Sequence, residues 1–167
     1  NVSSNPNFGY LINNLKGKYW QIPIRKFVES TSFLHEDGWL EITCNMDSII
    51  VQERIESKTK SYKSNIDLYQ YSSLRLDYLK KIINYLNEYG NVYLVRLPIH
   101  PEIMKIENIF MPEFNSLMKD IIPLTSGYLD MTDMNDKFTY TDGNHLSKIS
   151  AKIVSKEVAL WIKNNFS

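Results

Sequence analysis

Asp142 and His145 stand three residues apart in a short polar stretch that precedes a helical apolar pattern. In a turn, an aspartate at this spacing can hold an imidazole in one tautomer, as in the base half of a hydrolytic triad. The alternative is an ordinary polar turn over Asp142, Gly143 and Asn144 with His145 on the surface. For an arbitrary pair at this spacing that alternative is the more frequent one, so the elements around the pair must decide.

Two predicted strands lead into polar loops. Residues 92–98 are nearly continuously apolar and end at a proline, and residues 128–131 follow a glycine. These patterns predict neighbouring strands of a parallel sheet that is covered by helices on both faces. Ligands of open α/β sheets bind beyond the carboxyl ends of the strands. The two loops that follow the strands, and the loop before Ser147, should therefore share one functional edge.

Four charged or titratable residues in or beside these loops are further candidates. His100, between Ile99 and Pro101, either touches substrate or packs in a rigid turn against the backbone. Arg96 lies in an apolar run and needs a carboxylate or solvent partner, and we expect a structural salt bridge rather than a catalytic role. Asp130 and Asp133 can orient loops or bind the backbone amides of the Asp142 loop, and as a metal pair they would match no known ligand spacing.

Helices and one further strand complete the prediction. Residues 39–44 predict an edge strand or hairpin arm after a turn, and residues 1–38 read as short helices and loops. The charged stretch 48–64 is expected to be solvated and to form a mobile connection. Further helices are predicted in three regions. One lies within residues 64–89, one lies within residues 101–122 in two pieces, and one begins after Ser147, which caps it. Their apolar faces carry Leu79, Ile82, Ile83 and Leu86 in the first helix and Val154, Val158, Trp161 and Ile162 in the last.

Composition excludes several classes of function. The chain has 167 residues, with 19 Lys and Arg against 19 Asp and Glu and no basic cluster, which argues against nucleic-acid binding. A single cysteine and three dispersed histidines match no zinc spacing, so no metal is expected, and triad chemistry at Asp142 and His145 needs no cofactor. No apolar run approaches the ~18 residues of a membrane span. We expect one domain over residues 1–167. The 16 Asn, 15 Lys and 19 Ile residues, which A/T-rich codons favour, suggest a low-GC bacterium, with the protein in the cytoplasm or the cell envelope.

The block from Asp142 to Leu146, followed by a final amphipathic helix, resembles the last block of the SGNH (GDSL-like) hydrolase superfamily. The run V-Y-L-V-R-L-P-I-H-P, a helix and then Y-L-D-M-T-D are similar to SGNH-like proteins associated with bacterial surface polysaccharides. The similarity covers residues 79–167 and, weakly, H-E-D-G-W near His35. It implies a three-layer α/β/α fold with a mostly parallel, flavodoxin-like sheet. It also implies that His145 is the general base and that Asp142 orients it. Apart from the resemblance, His100 and Asn144 are candidate substrate-binding residues because they lie in the same loops.

The sequence departs from this family at its first blocks. No G-D-S block, which carries the nucleophilic serine, and no G-x-N-D block, which supplies an oxyanion donor, occurs in the 167 residues. Either the first strand and the nucleophile lie upstream of Asn1, or the fold has lost the nucleophile and binds without cleaving. We favour the first alternative, because the sheet of this family normally begins with that strand.

The expected activity follows from the resemblance. It is a serine-type esterase or O-acyltransferase that acts on acyl groups, usually acetyl, of carbohydrate hydroxyls. Its substrate is a small or polymeric acyl ester. Two alternatives stay open: a noncatalytic carbohydrate-binding or assembly domain on a degenerate scaffold, and a structural fragment. The many tyrosines between Tyr62 and Tyr89 either form a sugar-stacking platform or, more simply, pack as part of amphipathic helices.

Overall fold

The computed structural model describes residues 32–36, 38 and 40–165, which form a mixed α/β structure. The strands are β1 (Ser32–Leu34), β2 (Leu40–Ile42), β3 (Tyr93–Arg96) and β4 (Gly127–Asp130). The α-helices are α1 (Ser48–Asn65), α2 (Ser73–Asn87), α3 (Pro101–Phe110), α4 (Phe114–Ile121) and α5 (Lys148–Asn165). Short 3-10 helices occupy Ile66–Leu68, Ile122–Leu124 and Thr132–Lys137.

The chain divides into two units, Asn1–Cys44 and Asn45–Ser167. In the first, β1 and β2 form an antiparallel hairpin, and Gly38 closes the turn with a φ of +87°. The predicted hairpin arm at residues 39–44 is therefore confirmed. The helices and loops predicted for residues 1–31 lie outside the described residues, and the same prediction is wrong for residues 32–34, which form β1. The expectation of one domain stays a prediction.

The second unit contains the predicted parallel strands. β3 and β4 pair in parallel, with Tyr93 opposite Gly127 and Arg96 opposite Asp130. All four residues of β3 are half-buried. Tyr93 packs against Trp161 of α5, and Arg96, on the opposite face of the strand, lies over Phe114 of α4. Helices therefore contact both faces of β3, and full cover of the sheet stays a prediction. The carbonyls of Val92 and Arg96 accept hydrogen bonds from Ser126 and Met131, on the β4 side. Backbone groups alternate along a strand, so those of Tyr93 and Val95 point to the opposite edge.

Helix α1 corrects the prediction of a mobile connection at residues 48–64. Asp47 caps its first turn by accepting from the backbone N–H groups of Ile49 and Ile50, at 2.9 and 3.4 Å. Most of its residues are Glu, Gln, Lys, Ser and Ile, several of which are good helix formers. Ile55 is buried, and the helix packs against α3. Most of the charged positions face solvent, while one face of the helix packs against the rest of the unit.

The core combines residues from several elements. Its most deeply buried large side chains are Ile83, Ile103, Ile121 and Met131. On α2, however, only Ile83 of the predicted apolar face is buried; Ile82 and Leu86 are about half-exposed, at 52% and 45%. On α5, Val154 is buried and its neighbours along the predicted face are half-buried. Ile149 and Ile153 are exposed on another face of α5.

The remaining helices begin as predicted. Pro101 occupies the first turn of α3, and a break near Pro112 separates α3 from α4. Ser147 accepts a hydrogen bond from the backbone N–H of Ser150 at the start of α5, at 3.2 Å. Among the described residues, none of the helices combines the length and the apolar character that a bilayer crossing requires.

Candidate functional site

Asp142 and His145 are joined within one tight turn. Tyr140 and Leu146 form an antiparallel bridge, and Thr141 donates its backbone N–H to the carbonyl of His145, at 2.8 Å. Gly143 lies inside this turn with a φ of +97°, a conformation that favours glycine. The local backbone therefore places the side chains of residues 142 and 145 on the same side of a small loop.

The Asp142 carboxylate organises the turn. Its Oδ1 accepts from the backbone N–H groups of Asn144 and His145, both at 3.1 Å. His145 Nδ1 lies 3.0 Å from both carboxylate oxygens. A carboxylate only accepts, so Nδ1 carries the hydrogen and the neutral ring keeps its lone pair on Nε2. The predicted contact between the two side chains is thus present.

Exposure differs sharply between the two side chains. The His145 side chain is 71% exposed, while that of Asp142 is 23% exposed. Burial alone raises the pKa of Asp142, but the hydrogen bonds from the His145 side chain and from two backbone amides lower it overall. The carboxylate is therefore ionised at neutral pH, and the basic nitrogen of the ring faces solvent.

The three loops predicted to share one edge are bonded to each other. The His100 backbone N–H donates to the carbonyl of Gly143, at 2.9 Å, and joins the first loop to the third. The Ile99 N–H donates to Oδ1 of buried Asn135, at 3.0 Å, and joins the first loop to the second. The Tyr140 hydroxyl donates to the Asn135 carbonyl, at 2.9 Å. The predicted functional edge is therefore a connected structure.

His100 has a structural task in this edge. It caps α3, and its Nδ1 accepts from the backbone N–H of Glu102, at 3.3 Å. Its ring meets the Tyr140 ring edge-to-face, with centroids 5.6 Å apart. This is the packing role weighed from the sequence. Because Nδ1 accepts, the neutral ring donates through Nε2, and its contact with substrate stays a prediction.

Asn144, the other candidate substrate-binding residue, is fixed by α1. Its Nδ2 donates to the Tyr62 hydroxyl, at 2.6 Å. Its Oδ1 is buried and has no hydrogen-bond partner within the described part of the chain. A buried acceptor of this kind normally has a donor, so this oxygen is available to one from outside residues 32–165.

Two residues of α1 hold the turn, and sequence reasoning missed both. Lys58 Nζ lies 3.4 Å from Asp142 Oδ2, and Tyr62, one helical turn later, binds Asn144. A signal was present: Ile55, Lys58, Tyr62 and Ile66 recur at helical spacing on one face. The many charged residues in the stretch 48–64 made this face difficult to recognise.

Arg96 and Asp130 close the carboxyl ends of β3 and β4. Arg96 lies 3.6 Å from an Asp130 oxygen and 3.7 Å from a Glu107 oxygen, which confirms the predicted ion pairing. Asp130 also accepts from the backbone and hydroxyl of Thr132. Burial raises the pKa of Asp130, but these bonds and Arg96 lower it overall. In the described residues, His, Cys, Asp and Glu side chains form no group of three that could hold a metal.

Comparison with known proteins adds no relative. No protein-family model, no curated protein and no solved structure matches the chain.

Proposed function

We propose that the chain carries the base half of an SGNH-type serine esterase or O-acyltransferase that acts on O-acyl, chiefly O-acetyl, groups of a carbohydrate. One observation carries the proposal: His145 is held through Nδ1 by an ionised carboxylate while its ring stays open to solvent. A ring fixed in this way is suited to accept a proton at Nε2. Within the described residues, Asp142 and His145 provide this arrangement from a single four-residue turn.

The proposed reaction takes its nucleophile from a segment upstream of Asn1. As the serine oxygen attacks the acyl carbonyl, His145 Nε2 accepts the hydroxyl proton, and Asp142 stabilises the imidazolium. Collapse of the tetrahedral intermediate breaks the bond to the sugar oxygen, which receives the proton from His145. Water, or an acceptor hydroxyl in a transferase, then attacks the acyl-serine with His145 again as base, and the serine regains its proton.

The open edge of β3 supports this assignment of the missing strand. The backbone groups of Tyr93 and Val95 point away from β4, and no described strand pairs with them. We place the upstream strand there, in parallel, which extends the pair toward the three-layer α/β/α fold. The buried Oδ1 of Asn144 then accepts from a substrate hydroxyl or from the added segment.

A noncatalytic carbohydrate-binding domain is the second candidate. It is favoured by exposed tyrosines on α2, where Tyr78 and Tyr85 are 55% and 59% exposed. Exposed aromatic rings suit the apolar faces of sugars. Such a domain would bind an acylated glycan without releasing its acyl group.

The test is acetate release from an acetylated sugar and from an aryl acetate by the chain extended upstream of Asn1. His145→Ala should lower the rate about 10²–10⁴-fold, the usual contribution of a general base. Because the ring is exposed, thermal melts should show a stability loss under about 1 kcal/mol. His35→Ala, in the Asn1–Cys44 unit, is the matched control and should retain the rate. Equal turnover by wild type and His145→Ala would exclude the hydrolase and leave the binding domain.

A further inference from the structure

A cavity of about 320 Å³ lies between the carboxyl-terminal end of α1, helix α3 and the end of β3. Its volume is at the small end of the ~300–1,000 Å³ range of pockets that hold small molecules. Most of its lining is aliphatic or aromatic, and the lining includes Tyr62, Ile66, Ile103, Ile106, Phe110 and Phe114. Arg96 and Glu107 are its two charged members. The cavity therefore accepts one small group that has an apolar face.

This cavity adjoins the turn that holds the dyad. The Tyr62 hydroxyl accepts from Asn144 Nδ2, at 2.6 Å. On the same wall, Ile103 Cγ1 would lie 3.1 Å from a Cβ atom built on Gly143. A group bound in the cavity is thus separated from the Asp142–His145 turn by single side chains.

The two charged residues leave hydrogen-bonding capacity unused. The Arg96 side chain is 15% exposed and lies 3.9 Å above the Phe114 ring, yet its carboxylate neighbours are 3.6 and 3.7 Å away. In the described part of the chain, its hydrogen bond is to Met104 Sδ, a weak acceptor. The Glu107 side chain is 49% exposed, and its ion-pair partner in that part of the chain is Arg96, at 3.7 Å. Buried donors such as those of Arg96 normally find partners, and a half-exposed carboxylate can accept further hydrogen bonds. A ligand with both oxygen acceptors and hydroxyl donors therefore fits this pair.

Charge and shape select among such ligands. One guanidinium stands between two carboxylates, Asp130 and Glu107, so the local charge is negative and a further carboxylate or phosphate is repelled. A pyranose ring is neutral, presents hydroxyls at its edge and C–H groups on its face. An acyl chain would match the apolar wall but would offer neither charged residue a hydrogen bond.

We propose that this cavity is the subsite for one neutral pyranose ring of the glycan substrate, with Arg96 donating to and Glu107 accepting from its hydroxyls. The inference rests on the proposed function, because it names the part of the substrate that the chain holds beside the dyad. It assigns Phe110 and Ile106 to the apolar face of the ring.

Binding without turnover tests this subsite. The isoleucine methyl resonances of the 167-residue chain are followed by NMR during titration with the methyl glycosides of glucose, galactose, mannose and N-acetylglucosamine. At least one glycoside should shift Ile103 and Ile106 with saturation. Glucuronate and octanamide, a neutral acyl-chain mimic, should bind at least fivefold more weakly. No saturable shift with any glycoside, or tighter binding of octanamide, would overturn the proposal.

Matched variants localise the effect. Phe110→Ala should weaken glycoside binding at least fivefold, whereas Ile109→Ala, its neighbour on α3 with 72% exposure, should leave it unchanged. Glu107→Gln should reduce the discrimination against glucuronate, because it removes one negative charge. Equal binding by the Phe110 and Ile109 variants would contradict the assignment. His145→Ala should bind glycosides as the wild type does. Glycoside binding without turnover by the wild type would contradict the proposed function but not the subsite. Turnover without glycoside binding would contradict the subsite but not the proposed function.

Discussion

The Asp142 carboxylate accepts from three groups of its own four-residue turn: two backbone amides and the His145 ring. The orientation of the ring is therefore determined locally. This is why the sequence alone predicted the contact: an aspartate, a glycine and a histidine at this spacing suffice to build it. Lys58, which approaches from 84 positions away, was beyond local reasoning.

The difference in stability between wild type and Asp142→Asn should disappear at acid pH. Burial alone raises the pKa of Asp142, but its hydrogen bonds lower it overall, so its stabilising contribution is present above about pH 4, the ordinary carboxyl value. That contribution is lost as the pH falls through the lower folded value. Urea unfolding at several pH values should show wild type and variant converging on acidification. Asp133→Asn, at an exposed position, is the control, and a difference that stays constant with pH would refute the linkage.

Gly143→Ala should destabilise the chain by about 1–2 kcal/mol, the cost of the left-handed conformation for a residue with a Cβ. Its φ is +97°, and the new Cβ would lie 3.1 Å from Ile103 Cγ1. Gly90→Ala is the matched control, because no atom lies within 4 Å of its Cβ position and its φ is not in the left-handed region. The free energy of unfolding in urea measures both. Equal losses would show that the turn is not under this constraint.

Among the elements, α1 is the one whose structure the hydropathy pattern failed to predict. A stretch rich in Lys and Glu with few large apolar residues predicts solvation, and most of α1 is indeed exposed. One face of α1 is held by buried Ile55 and by the polar contacts of Lys58 and Tyr62. A hydropathy pattern does not reveal such polar contacts. Prediction succeeded where the pattern was strong and local, as for β3, β4 and the two-piece segment around Pro112. On α2 it identified the apolar face but not how little of it is covered, since cover depends on neighbours distant in sequence.

Tyr62→Phe should loosen the turn without unfolding α1. Loss of the hydroxyl leaves Asn144 Nδ2 without its acceptor, at a cost of about 1 kcal/mol. Amide hydrogen exchange at Asn144 and His145 should therefore become faster. Tyr71→Phe, at an exposed tyrosine, should leave these rates unchanged. Unaltered exchange in both variants would show that α1 does not hold the turn.

On the scale of the whole molecule, none of the described strands pairs with the outer edge of β3. The amides of Tyr93 and Val95 point to this edge, and Leu74, Tyr78 and Ile82 on α2 are exposed as well. A sheet edge and apolar surface of this kind are sites for further chain. The apolar pattern of the sequence did not predict how the elements assemble. Periodicity shows which face of an element is apolar, but it does not show which other element covers that face.

Extension of the chain upstream of Asn1 should protect this edge. If the added strand pairs with β3, amide exchange at Tyr93 and Val95 should slow by at least tenfold. Leu94, whose backbone already faces β4, serves as the internal control. The same exchange rates at Tyr93 and Val95 in both chains would refute the proposed position of the strand.

Labelling with a fluorophosphonate tests the central claim most directly, since the probe reacts only with a serine that a neighbouring base has activated. In the upstream-extended chain, mass spectrometry should find the label on a single serine upstream of Asn1. His145→Ala, folded by thermal melt, should lose the label. Equal labelling of wild type and His145→Ala, or no labelled serine in the wild-type chain, would contradict the assignment of His145 as the general base.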